Sequence, residues 1–529
     1  MRRWRVISVL MALILATGCV YDRLTPEEAC PGPAQKYYLS VVLHPQGETA
    51  AVKATGGSFK KADLEEMLVA HADFYFYTYE GKWLCSRHVT GLDQEEQPEG
   101  SAVESLAGAQ TMTLDVRPYR MLATANLTAA AASALEGKDL DEARALVSTM
   151  DVRQGTTVSV EYKGTPVDLH PFPMTASTYM SNVGREICDV VISEYYLKED
   201  PVKAQGTPLE VYLERLAAKV TLSLPALEFD VPVVTAENNI SAKVKVTGWG
   251  LNATNKSSYC FKKIRSSWNN DFSWTWKNEI KGRCYWAEDP NYTSGTYPVL
   301  PASIQSEDAL EYVAYKDLGN TLALDEGRYK GSLYCRENTA DGALLPLEDG
   351  ASASLYSRIT HVLVKAELVF SLASGTDVKG YVSASDIYRY KGVFYASLAE
   401  AQAVEAVSPG GRIDHFKKGQ FYYKIPIEHL NDTYPSSGNS YNTANYGVVR
   451  NHNYTITVSG LSGIGMGISQ EDERILPVRD ASDYQVSVYT TVSPWQQLLQ
   501  EFVFVDPSGV VQTNGQQVEN WNDSEGWYE

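Results

Sequence analysis

The sequence predicts an all-β protein built as two tandem β-sandwiches, and three observations carry that reading. Aromatic residues are abundant, with 34 Tyr in a chain of 529 residues, and aromatic and β-branched side chains suit a pleated, half-buried surface. Short runs of such residues recur along the chain, punctuated by 38 Gly and 23 Pro, which is the rhythm of strands and turns rather than of a helical bundle. The length exceeds what one small core can organise and suits two or three domains.

The elements follow in order. Arg2, Arg3 and Arg5 form a basic start, Val6 to Leu15 an apolar run, and Ala16-Thr17-Gly18 the small residues that a signal peptidase accepts. The run is too short to span a bilayer. Residues 1–18 are therefore expected to be a lipoprotein signal peptide and Cys19 the lipidated residue, whose acyl chains would hold the mature N-terminus in a membrane. An ordinary secretory signal with an incidental cysteine is disfavoured, because the small residues stop at Cys19.

A polar tether, Val20 to Ala34, leads into a predicted first strand at Tyr37–Leu43. A loop around Val52–Gly57 separates it from a strand that begins at Phe74 and closes in a turn at Glu80-Gly81-Lys82. Further strands are predicted at Thr111–Arg117, Arg120–Leu127, Thr157–Tyr162, Ala218–Leu224 and Lys243–Leu251. Leu140, Ala143 and Val147 recur at helical spacing and predict a helix over Asp139–Met150. A second series begins near residue 300, with one strand ending at Tyr334–Asn338 and a long alternating one at Ile359–Phe370. Strands then follow at Phe421–Ile427, Asn453–Leu461, Tyr484–Val492 and Phe502–Val505. The resulting plan is a signal over 1–18, a tether and first strand over 19–53, one sandwich over 54–300, a second over 301–494 and a C-terminal segment over 495–529.

The formal net charge of -19 repels nucleic acid and anionic headgroups, so neither is expected as a partner. Besides Cys19 the chain has Cys30, Cys85, Cys188, Cys260, Cys284 and Cys335, with no C-x-x-C pair. A cell-envelope location permits disulfides; Cys260 with Cys284 is the first pairing to test, and buried free thiols are the alternative. No metalloprotease, nucleophile-elbow or phosphate-loop motif occurs, and the eight His are dispersed. No catalytic residue, metal or cofactor is expected.

Gly463-Ile464-Gly465-Met466-Gly467 precedes the acidic Glu471-Asp472-Glu473, where a phosphate would want a helix N-terminus, so it reads as a hairpin turn. His452 reads as a buried histidine satisfying backbone groups at a strand start. Trp268, Phe272, Trp274 and Trp276 could offer a stacking platform to apolar sugar faces, or pack as a loop on the first domain through Trp286; the packed loop is favoured.

Several stretches together resemble the fimbrillins, shaft subunits of type V pili in Bacteroidia, in the branch of the minor-fimbrium major subunit. They are Leu122–Leu127, Pro173-Met174-Thr175, Glu214–Val220, Gly248–Asn255, Arg283–Ala287 and Tyr446–Tyr454. The likeness runs from Tyr37 to Val505 and rests on the order of short motifs. It implies transthyretin-like sandwiches and a non-enzymatic structural subunit that polymerises with itself and meets anchor and tip subunits at the cell outer membrane. It also implies cleavage by a trypsin-like protease after the first strand, here at Lys53-Ala54, with Lys60 and Lys61 as further sites. Many relatives carry arginine where this chain has Lys53. The groove so freed would take a donor strand from the next subunit, here Trp495 to Val505 with Phe502, Val503, Phe504 and Val505 at its centre. Phe502–Val505 also fits as the last strand of the second sandwich, which would leave the tail beyond Asp506 as donor. A lipidated anchor, a tip lipoprotein and a monomeric glycan-binding lipoprotein are the competing roles.

Overall fold

The computed structural model describes residues 36–47, 63–96, 103–153, 155, 157–162, 164–180, 186–235, 239–264, 287–292, 307–339, 344–345, 356–370, 385–430, 444–477, 486–494, 503–505 and 511–513. The chain is all-β, with short helices set between strands. Strands of the first part are β1 (Tyr37–Gly47), β2 (His71–Tyr77), β3 (Trp83–Thr90), β4 (Gln94–Glu96), β5 (Val103–Leu114), β6 (Arg120–Ala125), β7 (Val158–Tyr162), β8 (Thr165–Leu169), β9 (Met174–Ala176) and β10 (Leu209–Arg215). They form one hydrogen-bonded path in the order β3-β2-β6-β9-β10-β1-β5-β4-β7-β8. β10 joins its two layers, pairing with β1 through Leu209–Tyr212 and with β9 through Leu213–Arg215. Leu39, Phe74, Phe76, Met121, Val211 and Leu213 meet in the first core.

The second part begins with β11 (Ala218–Leu224), β12 (Glu228–Thr235) and β13 (Asn239–Asn252). It continues with β14 (Ala323–Asp325), β15 (Arg328–Cys335), β16 (His361–Phe370), β17 (Ile387–Tyr390), β18 (Val393–Tyr395), β19 (Asp414–Phe416), β20 (Gln420–Pro426), β21 (His452–Leu461), β22 (Met466–Gly467) and β23 (Val486–Pro494). Two sheets result, β14-β15-β11-β21-β23 and β19-β17-β18-β12-β13-β16-β20-β22. Every residue of β11 is buried, as a central strand flanked by β15 and β21 requires. β12 buries alternate residues from Val231 on, the signature of a strand with one wet face. Val220, Val244, Trp249, Val364, Phe421 and Ile456 belong to the core between these sheets.

Sheet membership therefore changes at Leu216-Ala217, between β10 and β11, and not near Leu300 as the sequence suggested. β11–β13 resemble the strands before them in composition, and only their pairing with β15, β16 and β21 places them in the second core. The predicted helix over Asp139–Met150 is shorter: α1 (Leu64–Met67) precedes it in the chain, and α2 spans only Leu140–Arg144. A capping box between Asp139 and Glu142 starts α2. Beyond it, Val147–Ser148 turns away to pair with Ser258–Tyr259, so a tertiary ladder outcompetes the local helical spacing.

The glycine-rich stretch at 463–467 is a crossover and not a hairpin turn, because β22 pairs with β20 in the opposite sheet from β21. A Cβ on Gly465 would lie 2.2 Å from the Tyr422 carbonyl oxygen, and one on Gly467 2.4 Å from that of His415. Close backbone approach, not phosphate binding, accounts for these glycines. Cys85, Cys188, Cys260 and Cys335 are free thiols; Cys284, the expected partner of Cys260, lies outside the described residues. Burial pushes the Cys260 thiol up to about 12, with Arg450 and Arg336 opposing the rise, so it is an inert core thiol.

Candidate functional site: the seat of the first strand

β1 is an interior strand. It runs antiparallel to β5 from Tyr37 opposite Leu114 to Gly47 opposite Val103, and parallel to β10 from Val41 opposite Leu209 to His44 opposite Tyr212. Leu197–Lys198 pairs with its N-terminal end. Leu39, Val41 and Leu43 are 0%, 1% and 1% exposed, each worth about 2 kcal/mol of apolar burial. Ser40 and His44 alternate with them and are also buried.

His44 stacks on Tyr212 with ring centroids 4.6 Å apart, and its Nε2 lies 3.9 Å from Glu210 Oε2. Desolvation lowers its pKa from 6.5 to about 4, so the ring is neutral in this seat. Pairing with β5 is irregular between Val41 and Gly47, with shifts at Val41/Leu43, Leu43/Gln46 and Gln46/Gly47. The less regular half of β1 is thus the half that faces the expected cut. Withdrawing β1 would bare the inner edges of β5 and β10 and an apolar slot, a geometry that accepts another extended segment through main-chain hydrogen bonds and alternate side chains.

The other site residues fall as follows. Cys19, Lys53, Ala54 and Phe502 lie outside the described residues, as do Cys30, Cys284, Trp268, Phe272, Trp274, Trp276 and Trp286. Val503–Val505 forms β24, which pairs antiparallel with β25 (Val511–Thr513) as a separate two-stranded ribbon. It is therefore not the last strand of the second sandwich; that place belongs to β23, whose Pro494 pairs with His452.

A second feature escaped the sequence reading: a charged cluster buried where β10 passes into β11. Lys219 Nζ lies 2.5 Å from Glu66 Oε1 and 2.7 Å from Asp63 Oδ2. Lys262 Nζ lies 2.8 Å from Glu214 Oε2, both side chains fully buried. Arg450 is paired with Glu337, again with both side chains fully buried, and donates to the Cys260 carbonyl at 2.9 Å. Asn451, at a φ of 62°, turns its N–H onto the Ala217 carbonyl at 2.7 Å. The available signal was charge inside strand-like runs, as in Glu214-Arg215 and Lys219, since ions are buried only with partners. His452 is a core residue: its Nδ1 is 2.8 Å from the Arg450 carbonyl oxygen, and burial pulls its pKa down to about 3.

Residues 414–501 match the family described as major fimbrial subunit protein type IV, fimbrillin, C-terminal. That stretch of the chain is similar to the C-terminal part of the fimbrillins. In the structure this fimbrillin region holds β19 through β23, strands of both sheets around the second core, together with the Arg450-Asn451 corner of the junction. No curated protein matches the chain. Among solved structures, a fimbrilin from Porphyromonas gingivalis W83 is similar at 13% identity and a TM-score of 0.38, over 88% of this chain and 98% of that one. The tip fimbrial protein Mfa3 from Porphyromonas gingivalis is similar at 12% identity and 0.34, over 86% and 100%. A fimbrial assembly protein from Parabacteroides distasonis is similar at 11% identity and 0.31, over 86% and 99%. The family match is confined to residues 414–501.

Proposed function

We propose that this fimbrillin-type chain is a structural, non-enzymatic fimbrial subunit, exported as a lipoprotein through Cys19 and cut at Lys53-Ala54. It then polymerises at the cell surface by strand replacement, with anchor and tip subunits as its other partners. The observation that supports this most directly is the position of β1. It is an interior strand with three buried apolar residues, and the candidate cut follows it in the chain. Once cut, β1 is tied to its sheet only by non-covalent contacts, and a donor with the same alternation can take its place. The ribbon β24–β25 supports the C-terminal segment as donor, since its strands pair with each other and not with either core.

N-terminal sequencing of assembled fimbriae tests the cut: the mature chain should begin at or near Ala54, and a chain still beginning at Cys19 would make the protein an anchor. Labelling with a fatty-acid analogue should mark the precursor and vanish in Cys19→Ala. Size-exclusion after limited trypsin digestion should yield polymers; a persistent monomer quenched by saccharides would favour the glycan-binding reading.

A further inference from the structure

We infer that residues 63–70 form a fixed abutment that holds the junction between the two cores independently of β1, an inference that deepens the proposed strand replacement and rests on it. All three candidate cut sites, Lys53, Lys60 and Lys61, precede Asp63, so this segment stays with the mature chain whichever is used.

The segment is tied to both parts of the molecule. Asp63 and Glu66 close a capping box around α1, with the Asp63 N–H donating to Glu66 Oε2 at 2.9 Å. Glu66 is 1% exposed. Its other carboxylate oxygen accepts from Lys219 Nζ of β11 at 2.5 Å and from the Tyr334 hydroxyl of β15 at 2.6 Å. Its carbonyl accepts from Arg215 Nε of β10 at 2.6 Å.

The next residues are fastened to the first core. Gln94 holds Val69 from both sides, accepting from its N–H at 2.9 Å and donating to its carbonyl at 2.7 Å. Asn126, in the left-handed region at a φ of 57°, accepts from the Ala70 N–H at 2.7 Å and donates to the Leu68 carbonyl at 2.9 Å. None of these bonds uses a residue of β1. Pulling Glu66 out would strand the buried Lys219 ammonium, which is far costlier than losing an exposed pair. Strand replacement needs this separation, because the subunit must give up β1 without letting its two cores come apart.

Native-state hydrogen exchange on the full chain tests the separation with two kinds of variant. Val41→Ala loosens β1 and should speed exchange of the Leu39–Leu43 amides about tenfold while leaving Val69, Ala70 and Asn451 unchanged. Tyr334→Phe removes only the hydroxyl on Glu66 and should do the reverse, about tenfold at Val69, Ala70 and Asn451 with β1 unchanged. Glu66→Gln should give the same pattern more strongly. Acceleration at Asn451 in Val41→Ala, or none at Val69 and Ala70 in Tyr334→Phe, would overturn the abutment. Polymerisation of the cut chain is read separately by size-exclusion. The expected exchange patterns without polymer would sink strand replacement and leave the abutment standing.

Discussion

His44 couples the seat of β1 to pH. Its pKa in the fold, about 4, lies below the ordinary 6.5, so its contribution is fully present above pH 6.5 and is lost as pH falls through 4. That contribution is about 3 kcal/mol. His361 and His452, each lowered by burial to about 3, act with the same sign. They are shared by wild type and variant, so the difference isolates His44. In His44→Leu, urea midpoints of the uncut chain should fall less steeply between pH 6.5 and 4; parallel curves would show that His44 does not titrate in its seat. The buried pairs give a second prediction at this scale. Lys262→Met should cost about 3–5 kcal/mol by stranding Glu214, and adding Glu214→Leu should recover much of it, as denaturant titration of single and double variants would reveal.

Among the elements, β1 and the glycine-lined crossings matter most. Leu39→Ala should cost the uncut chain about 2–5 kcal/mol, which denaturant titration of the uncut wild type and variant measures. Gly248 and Gly465 admit neighbouring backbone: a Cβ on either would sit 2.2 Å from the carbonyl oxygen of Leu318 or Tyr422. Alanine at either position should lower stability by about 1–3 kcal/mol, visible as a reduced melting temperature. Most strands were legible because local chemistry and tertiary role agree. β11 coincides with the predicted Ala218–Leu224, and β16 and β21 start within two residues of prediction. The helix at 139–150 was over-read because Val147 carries helical spacing but pairs with Tyr259.

For the whole molecule, the proposed strand replacement would make the end of β23 at Pro494 the divide between folding and assembly. β21 is paired along its length by β11 and β23, and β24–β25 joins neither core. Deleting everything after Pro494 should therefore leave a folded, exported monomer that does not polymerise. Circular dichroism with size-exclusion checks both halves of that statement, and unfolding of the truncated chain would mean that the tail completes the second core.

The sequence by itself determined the all-β class, much of the strand content and the fimbrillin likeness, because these are written in local composition and short-range order. Tertiary structure decided what depends on pairing between distant residues. It put the change of core at Leu216-Ala217 rather than Leu300, made 463–467 a crossover, left Cys260 a free thiol and enclosed Glu66, Lys219, Glu337 and Arg450 in one junction. A strand's partner is chosen by long-range hydrogen bonding, and a buried charge is tolerable only where its counter-ion arrives from elsewhere in the chain. Neither condition has a local signature.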